Sequence, residues 1–344
     1  MYAFHAEVAE LTLPAGHPFP ISKYERLRDA VRSGLPAVRL VAAAAASDGE
    51  LALAHEPAWI GAVVEGTTTA AQQREIGFPW SERLVQRARR SVGATIRAAR
   101  TALVGFGGEG SEGVAANLGG GTHHACAHKG SGYCVFNDVA VAARLMQAEH
   151  HRRHAGRGRV HGLRVLVIDL DVHQGNGTAS IFADDPSVFT LSLHGAKNFP
   201  LRKATSDLDV ELPDGCGDTE YLQALDGALA RAFDAMADAP PGLAFYLAGA
   251  DAHEDDRLGR LKLGCAGLAE RDRRVFAALG ARRIPVALTM AGGYGRDIAV
   301  TVAIQQRTLA IALDAWRAWS AGPLQPRMRA AGHAPAPSAP PARG

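Results

Sequence analysis

Four short apolar runs punctuate the second half of the chain: Leu163–Ile168 (LRVLVI), Ser187–Leu193 (SVFTLSL), Leu243–Leu247 (LAFYL) and Pro285–Met290 (PVALTM). Each is rich in β-branched or aromatic residues and nearly lacks polar alternation, the pattern of a strand covered on both faces of a parallel sheet. Segments of helical character, such as Tyr221–Ala237 and Leu268–Ala278, lie between them. Alternating strands and helices predict one α/β domain built on a parallel sheet. Ligands in such sheets bind beyond the carboxyl ends of the strands. The residues just after each run are therefore where chemistry is expected.

No internal repeat is apparent. From Ser320 the chain turns Pro/Ala-rich with hardly any large apolar residues, which predicts one folded domain over 1–319 and a disordered tail over 320–344. The basic cluster His150–Arg159 (HHRRHAGRGR) reads as a solvated loop between a helix and a strand.

Composition narrows the class. The 344 residues are 47% hydrophobic, enough for a sizeable core and too apolar for a disordered chain. The four cysteines, Cys126, Cys134, Cys216 and Cys265, form no CxxC pair; this excludes a disulfide scaffold and suits a reducing compartment. A net charge of +2 leaves no electrostatic footprint for nucleic acid or an acidic membrane. The start, MYAFHAEVAE, lacks the pattern of a signal peptide, and no run reaches the ~20 apolar residues of a membrane helix. A soluble cytoplasmic chain of enzyme size, with no nucleic-acid or membrane partner, is the expectation. Fourteen histidines beside 38 glycines point to a site built on loops.

Directly after Leu163–Ile168 comes Asp169-Leu-Asp171-Val-His173-Gln-Gly-Asn176. In extended chain Asp169, Asp171 and His173 point to one side. After Leu243–Leu247 comes Ala-Gly-Ala-Asp251. Two carboxylates and an imidazole converging from adjacent strand ends make a mixed O/N metal site with room for water. Asp251 alone reads equally well as a helix cap; the whole array favours the metal.

Upstream lies Gly119-Gly-Gly-Thr-His123-His124-Ala. A histidine pair on its own is commonly surface or satisfied core. Beside a metal array it reads as an acid/base pair whose other ring nitrogens need carboxylate or amide partners, for which Asp169 and Asn176 are suitable. His128, four residues after His124, lacks the intervening Glu of a zincin and is read as structural. Tyr294, flanked by glycines after Pro285–Met290, could donate to a developing oxyanion or simply pack.

In their order and spacing, GGGTHHA, DLDVHQGNGT, AGADAHEDDRLGRLKL and AGGY resemble the zinc-dependent histone deacetylase family, over roughly Gly16 to Ala310. GHPFPISKY (Gly16–Tyr24) and LHGAKNFPLRKATSDLDVELPDGCGD (Leu193–Asp218) look like its bacterial branch close to class IV. The resemblance implies the arginase/deacetylase α/β fold, a single domain whose central parallel sheet has about eight strands flanked by helices. It implies zinc held by Asp171, His173 and Asp251, donors that also accept ferrous iron. His123 and His124 would be the catalytic tandem histidines, backed by Asp169 and Asn176, with Tyr294 polarising the acyl carbonyl. Which histidine takes the water proton stays open, because a coupled pair titrates as a unit. Gly132, Tyr133, Phe199 and Leu258 would wall a narrow tunnel for the lysine stem. Asp169, Ser192 and Leu193, with the carbonyls of Asp171 and His173, would hold a structural potassium ion.

The activity so implied is hydrolysis of an N-acyl-lysine, or a similar acylated amine, to carboxylate and free amine. The partner is then an acylated lysine in a protein or peptide, or an acylated small amine. An acetylpolyamine or small-amide deacetylase is the alternative, although no acidic gate for a polyamine is apparent. A non-catalytic acyl-lysine binder would be expected to lack part of the machinery, and none is missing. An arginase-type hydrolase would need a second metal and further acids that DLDVHQGNG does not supply. Two departures stand out: Ala291 opens the tyrosine motif where many relatives have glycine, and no acidic rim residue for a peptide backbone is identified.

Overall fold

The computed structural model describes residues 1–6, 11, 13, 14, 16–108, 110–155 and 162–322. Its strands are β1 (Tyr2–His5), β2 (Arg39–Ala42), β3 (Val114–Asn117), β4 (Val165–Asp169), β5 (Val188–Gly195), β6 (Leu208–Leu212), β7 (Leu243–Leu247) and β8 (Val286–Thr289). They form one eight-stranded sheet in the order β2–β1–β3–β8–β7–β4–β5–β6, with every pair parallel. The helices are α1 (Lys23–Gly34), α2 (Asp48–Leu51), α3 (Pro57–Glu65), α4 (Ala70–Ile76), α5 (Glu82–Val104), α6 (Asp138–His154), α7 (Asn176–Phe182), α8 (Asp218–Ala235), α9 (Cys265–Ala281) and α10 (Ile298–Ala321).

The apolar runs correspond to β4, β5, β7 and β8, and their lack of polar alternation has the expected cause. In β4, Leu166 and Ile168 face one core with α1, α8, α9 and α10, while Val165 and Val167 face a second core with α3, α5 and α6. β7 divides likewise: Ala244 and Tyr246 on one side, Leu243, Phe245 and Leu247 on the other. A central strand buried on both faces has no polar side to show.

The architecture sets the site through strand order. β3, β8, β7 and β4 are consecutive in the middle of the sheet. GGGTHH follows β3, AGGY follows β8, AGAD follows β7 and DLDVHQ spans the end of β4. Four segments distant in sequence thus leave the same edge of the sheet side by side.

Three expectations change. The His150–Arg159 stretch is not a loop throughout, because α6 continues to His154. Glu149 holds that last turn, pairing with Arg100 at 2.5 Å and with Arg153 at 3.1 Å. Residues 156–161, including the rest of the cluster, lie outside the described residues. The tail placed from Ser320 begins inside α10, which ends at Ala321; residues 323–344 lie outside the described residues. Finally, α10 is by length and composition long and apolar enough to cross a membrane, although no such run is apparent in the sequence. Here it packs against α1, α9 and β3 and buries Val302, Leu309, Ala312 and Leu313 in the core. All four cysteines are free.

Candidate active site

β4 ends at Asp169, and the chain bends through Asp171 and His173 instead of staying extended. The aspartates drive the bend: the Asp171 amide donates to Asp169 Oδ1 at 3.2 Å, and the His173 amide donates to Asp171 Oδ1 at 2.9 Å. Short carboxylates that capture a backbone N–H two residues on favour turns over strands. The bend brings His173 Nδ1 to 2.9 Å from Asp171 Oδ1 and 3.4 Å from Asp251 Oδ2.

Asp171, His173 and Asp251 are all buried, and each offers a ligand atom within 4.8 Å of the others. Asp251 Oδ2 is buried with no hydrogen-bond partner. An unpartnered carboxylate oxygen in such a place is costly, and a cation between these donors would satisfy it. The residues present fit a divalent metal ion.

Gly292 shows how closely the motifs lock together. Its amide donates to Asp171 Oδ2 at 2.7 Å, and a Cβ there would lie 1.8 Å from Asp251 Oδ2. Ala291 just before it has φ +50°, the left-handed region that favours glycine, at the position where the sequence departs from the usual motif.

The tandem histidines sit beside the donors, their ring centroids 4.1 Å apart. Their outer nitrogens have different partners. His123 Nδ1 is 2.6 Å from the Asp169 carboxylate, whereas His124 Nδ1 is 2.7 Å from the Asn176 amide oxygen. Burial works against charge on both rings. For His123 the carboxylates of Asp169 and Asp171 outweigh it and raise the ring to about 9. For His124, burial is reinforced by the positive fields of His123 and His173, and the ring is held well below the usual histidine range. The carboxylate partner thus favours charge on His123, and the amide partner gives His124 no such support.

Tyr294 shares a cavity with His124 and His173. Its phenol is pushed well above the usual range by burial and by the Asp171 and Asp251 carboxylates, so it remains a hydrogen-bond donor. His124, His173 and Tyr294 face a cavity of about 790 Å3 that Gly132, Tyr133, Phe199 and Leu258 also line. The Phe199 ring stands perpendicular to His124 at 4.9 Å, and Tyr133 lies 5.8 Å from the Tyr294 ring. Gly132, at φ +53°, passes so close that a Cβ would come within 2.5 Å of the His124 ring and 3.1 Å of Phe199. Asp169 faces Ser192 in the β4–β5 register, with Leu193 next along β5; the Ser192 hydroxyl lies 2.9 Å from His194 Nδ1. His128 is exposed and outside the cavity.

Several residues that shape the site are missed by sequence reasoning. Asp138, at the first turn of α6, accepts from the Gly121 and Thr122 amides at 3.0 and 2.7 Å and so fixes the histidine loop. Asp256 accepts from the Tyr294 amide at 2.6 Å. The buried Arg271 donates to the Gly249 carbonyl at 2.6 Å, in the loop before Asp251. Lys23, only 1% exposed, reaches the carbonyls of Ala291 and Gly293 at 3.4 and 3.3 Å and lies over the Tyr294 ring. The only sequence signals are charged residues at positions otherwise apolar or at helix starts.

Comparison with known proteins identifies the family. A family model described as the histone deacetylase domain matches residues 17–309. An uncharacterized protein of Picosynechococcus is 42% identical over 288 residues, covering 83% of this chain and 89% of the relative. Histone deacetylase 2 of Arabidopsis thaliana is 30% identical over 315 residues, covering 88% of this chain and 76% of its own. Among solved structures, the HDA15 HD domain superposes with a TM-score of 0.67 at 22% identity, covering 92% of this chain and 94% of its own. An HDAC homolog complexed with SAHA gives 0.68 at 22% identity, covering 92% and 88%. At that identity the structures speak for the fold. The family match and the Arabidopsis relative place this chain in the histone deacetylase family, whose members are amidohydrolases.

Proposed function

We propose that this protein is a metal-dependent deacylase that hydrolyses the amide of an N-acyl-lysine to a carboxylate and a free lysine amine. The observation that carries the reading is the unequal pair of histidines beside three buried metal donors. One ring is paired with a carboxylate, the other with an amide oxygen.

Asp171, His173 and Asp251 would hold the ion, which we assign as zinc; ferrous iron suits the same donors. When bound, such an ion supplies Lewis acidity, acidifying a water and polarising the acyl carbonyl. The residues of the chain do the rest. With Nδ1 donating to Asn176, His124 presents an unprotonated Nε2 to the cavity and accepts the water proton there. The same nitrogen returns a proton to the departing amine. His123, whose protonated form the Asp169 carboxylate favours, would contribute positive charge where the tetrahedral oxygen develops. The Tyr294 hydroxyl donates to that oxygen. Gly132, Tyr133, Phe199 and Leu258 exclude water from the alkyl stem and align it. The same reading places a potassium ion among Asp169, Ser192, Leu193 and the carbonyls of Asp171 and His173, and the protein in the cytoplasm.

The test is a panel of acetyl-lysine and long-chain acyl-lysine peptides, an acetylpolyamine and small acetylated amines, assayed with the metal-loaded protein. Release of carboxylate and free lysine from at least one peptide supports the reading. Turnover of none of the peptides, with metal bound, contradicts it.

A further inference from the structure

The mouth of the cavity carries a charge that the whole chain does not. The sequence as a whole is almost balanced, with 37 basic against 35 acidic residues. Around the mouth, the described lining residues include Arg74, Lys129, Lys197, Arg202 and Arg260, with Glu75 the sole carboxylate among them. Glu75 is already engaged by Lys129 at 2.6 Å. Outside the lining, Asp214 is shared between Arg260 at 3.1 Å and Lys197 at 3.9 Å. Arg74 and Arg202, both exposed, have no carboxylate within ion-pair distance among the described residues.

The same lining carries exposed apolar side chains. Phe199 is 43% exposed, Leu258 39% and Leu201 93%, and all three line the mouth. They are half of the six large apolar side chains exposed among the described residues. A bare leucine at a cavity entrance has nothing of its own chain to pack on, and offers a contact to whatever enters.

Resting on the deacylase reading above, we propose that the preferred substrate is an acyl-lysine in a protein segment whose neighbouring residues are acidic. A concave entrance with an excess of one sign focuses its field and raises the local concentration of the opposite charge. The same field repels cationic substrates, both basic tails and polyamines, and like-charge juxtaposition is an efficient route to discrimination. The aliphatic rim then packs on the residues beside the acyl-lysine, while Arg74 and Arg202 take carboxylates farther out.

The experiment compares two acetyl-lysine peptides of equal length, one flanked by Asp and Glu, the other by Lys and Arg. The readout is the ratio of kcat/KM within one enzyme preparation, so a general loss of activity in a variant cancels. The acidic peptide is expected to win by about tenfold at low ionic strength, with the ratio shrinking toward one at high salt. In the double variant Arg74→Glu, Arg202→Glu the ratio is expected to fall severalfold. Equal turnover of the two peptides, preference for the basic one, or a ratio unmoved by both salt and the variant would overturn the proposal alone. Turnover of neither peptide, nor of the matching pair carrying a long-chain acyl-lysine, would overturn the deacylase reading and this proposal with it.

Discussion

His124 Nδ1 bonds a neutral oxygen, the amide Oδ1 of Asn176, at 2.7 Å, while its neighbour has a carboxylate in the corresponding place. That difference leaves His124 the less basic ring of the two. Burial, His123 and His173 hold it well below the usual range, so it is neutral and able to accept a proton at pH 7.

Asn176→Asp should therefore move the pH profile. A base works above its own pKa and is lost as pH falls through it. A carboxylate at hydrogen-bond distance favours the charged ring and raises that pKa by about 1–3 units. The acid limb of kcat/KM against pH is expected to shift upward by about one unit or more. An unmoved acid limb would take the base role away from His124.

Tyr294→Phe removes one donor and leaves the metal residues intact. Loss of one oxyanion donor lowers kcat by about 10²–10³. Metal content measured alongside should match the parent protein. Full turnover in the phenylalanine variant would mean the hydroxyl does not touch the developing charge.

Gly292→Ala tests the packing of the motifs. The added methyl meets Asp251 Oδ2 at 1.8 Å and Asp171 Oδ2 at 2.6 Å, so both carboxylates must move. Disturbed support of metal ligands weakens affinity by about 10–100-fold. A competition titration with a chelator reads this directly. Unchanged affinity would show that the two aspartates are not where the metal binds.

Asp138→Ala tests the anchor of the histidine loop. The carboxylate accepts from the amides of Gly121 and Thr122 and from the hydroxyls of Thr122 and Thr95. Leaving buried donors unpaired costs about 1–3 kcal/mol each, so urea unfolding should show a loss of about 3 kcal/mol or more. A loss under about 1 kcal/mol would mean the loop finds other acceptors.

The sequence is most legible where single segments carry their own signal. β4, β5, β7 and β8 stand out because burial on both faces demands unbroken apolar residues. β3 does not, although it carries the histidine loop: its four residues, VAAN, are too few and too small to mark a strand. The edge strands β2 and β6 carry intermediate and exposed positions that blur any pattern. The motif residues are readable because spacing within a loop survives in the sequence. Lys23 is not, because its partners Ala291 and Gly293 lie across the whole chain. Asp138 looks like an ordinary first-turn acid of α6 until the loop folds onto it. The basic end of α6 is misread for a related reason: a run of histidines and arginines resembles solvated loop, and the Arg100–Glu149 contact from α5 is invisible locally.

The central claim is hydrolysis at a single metal ion held by Asp171, His173 and Asp251. The most direct measurement strips the protein with a chelator and titrates zinc back while following deacetylation of a lysine peptide. Activity is expected to rise linearly and break at one ion per chain, with Asp251→Ala showing neither binding nor turnover. A break at two ions per chain, or full activity in the stripped protein, would contradict it.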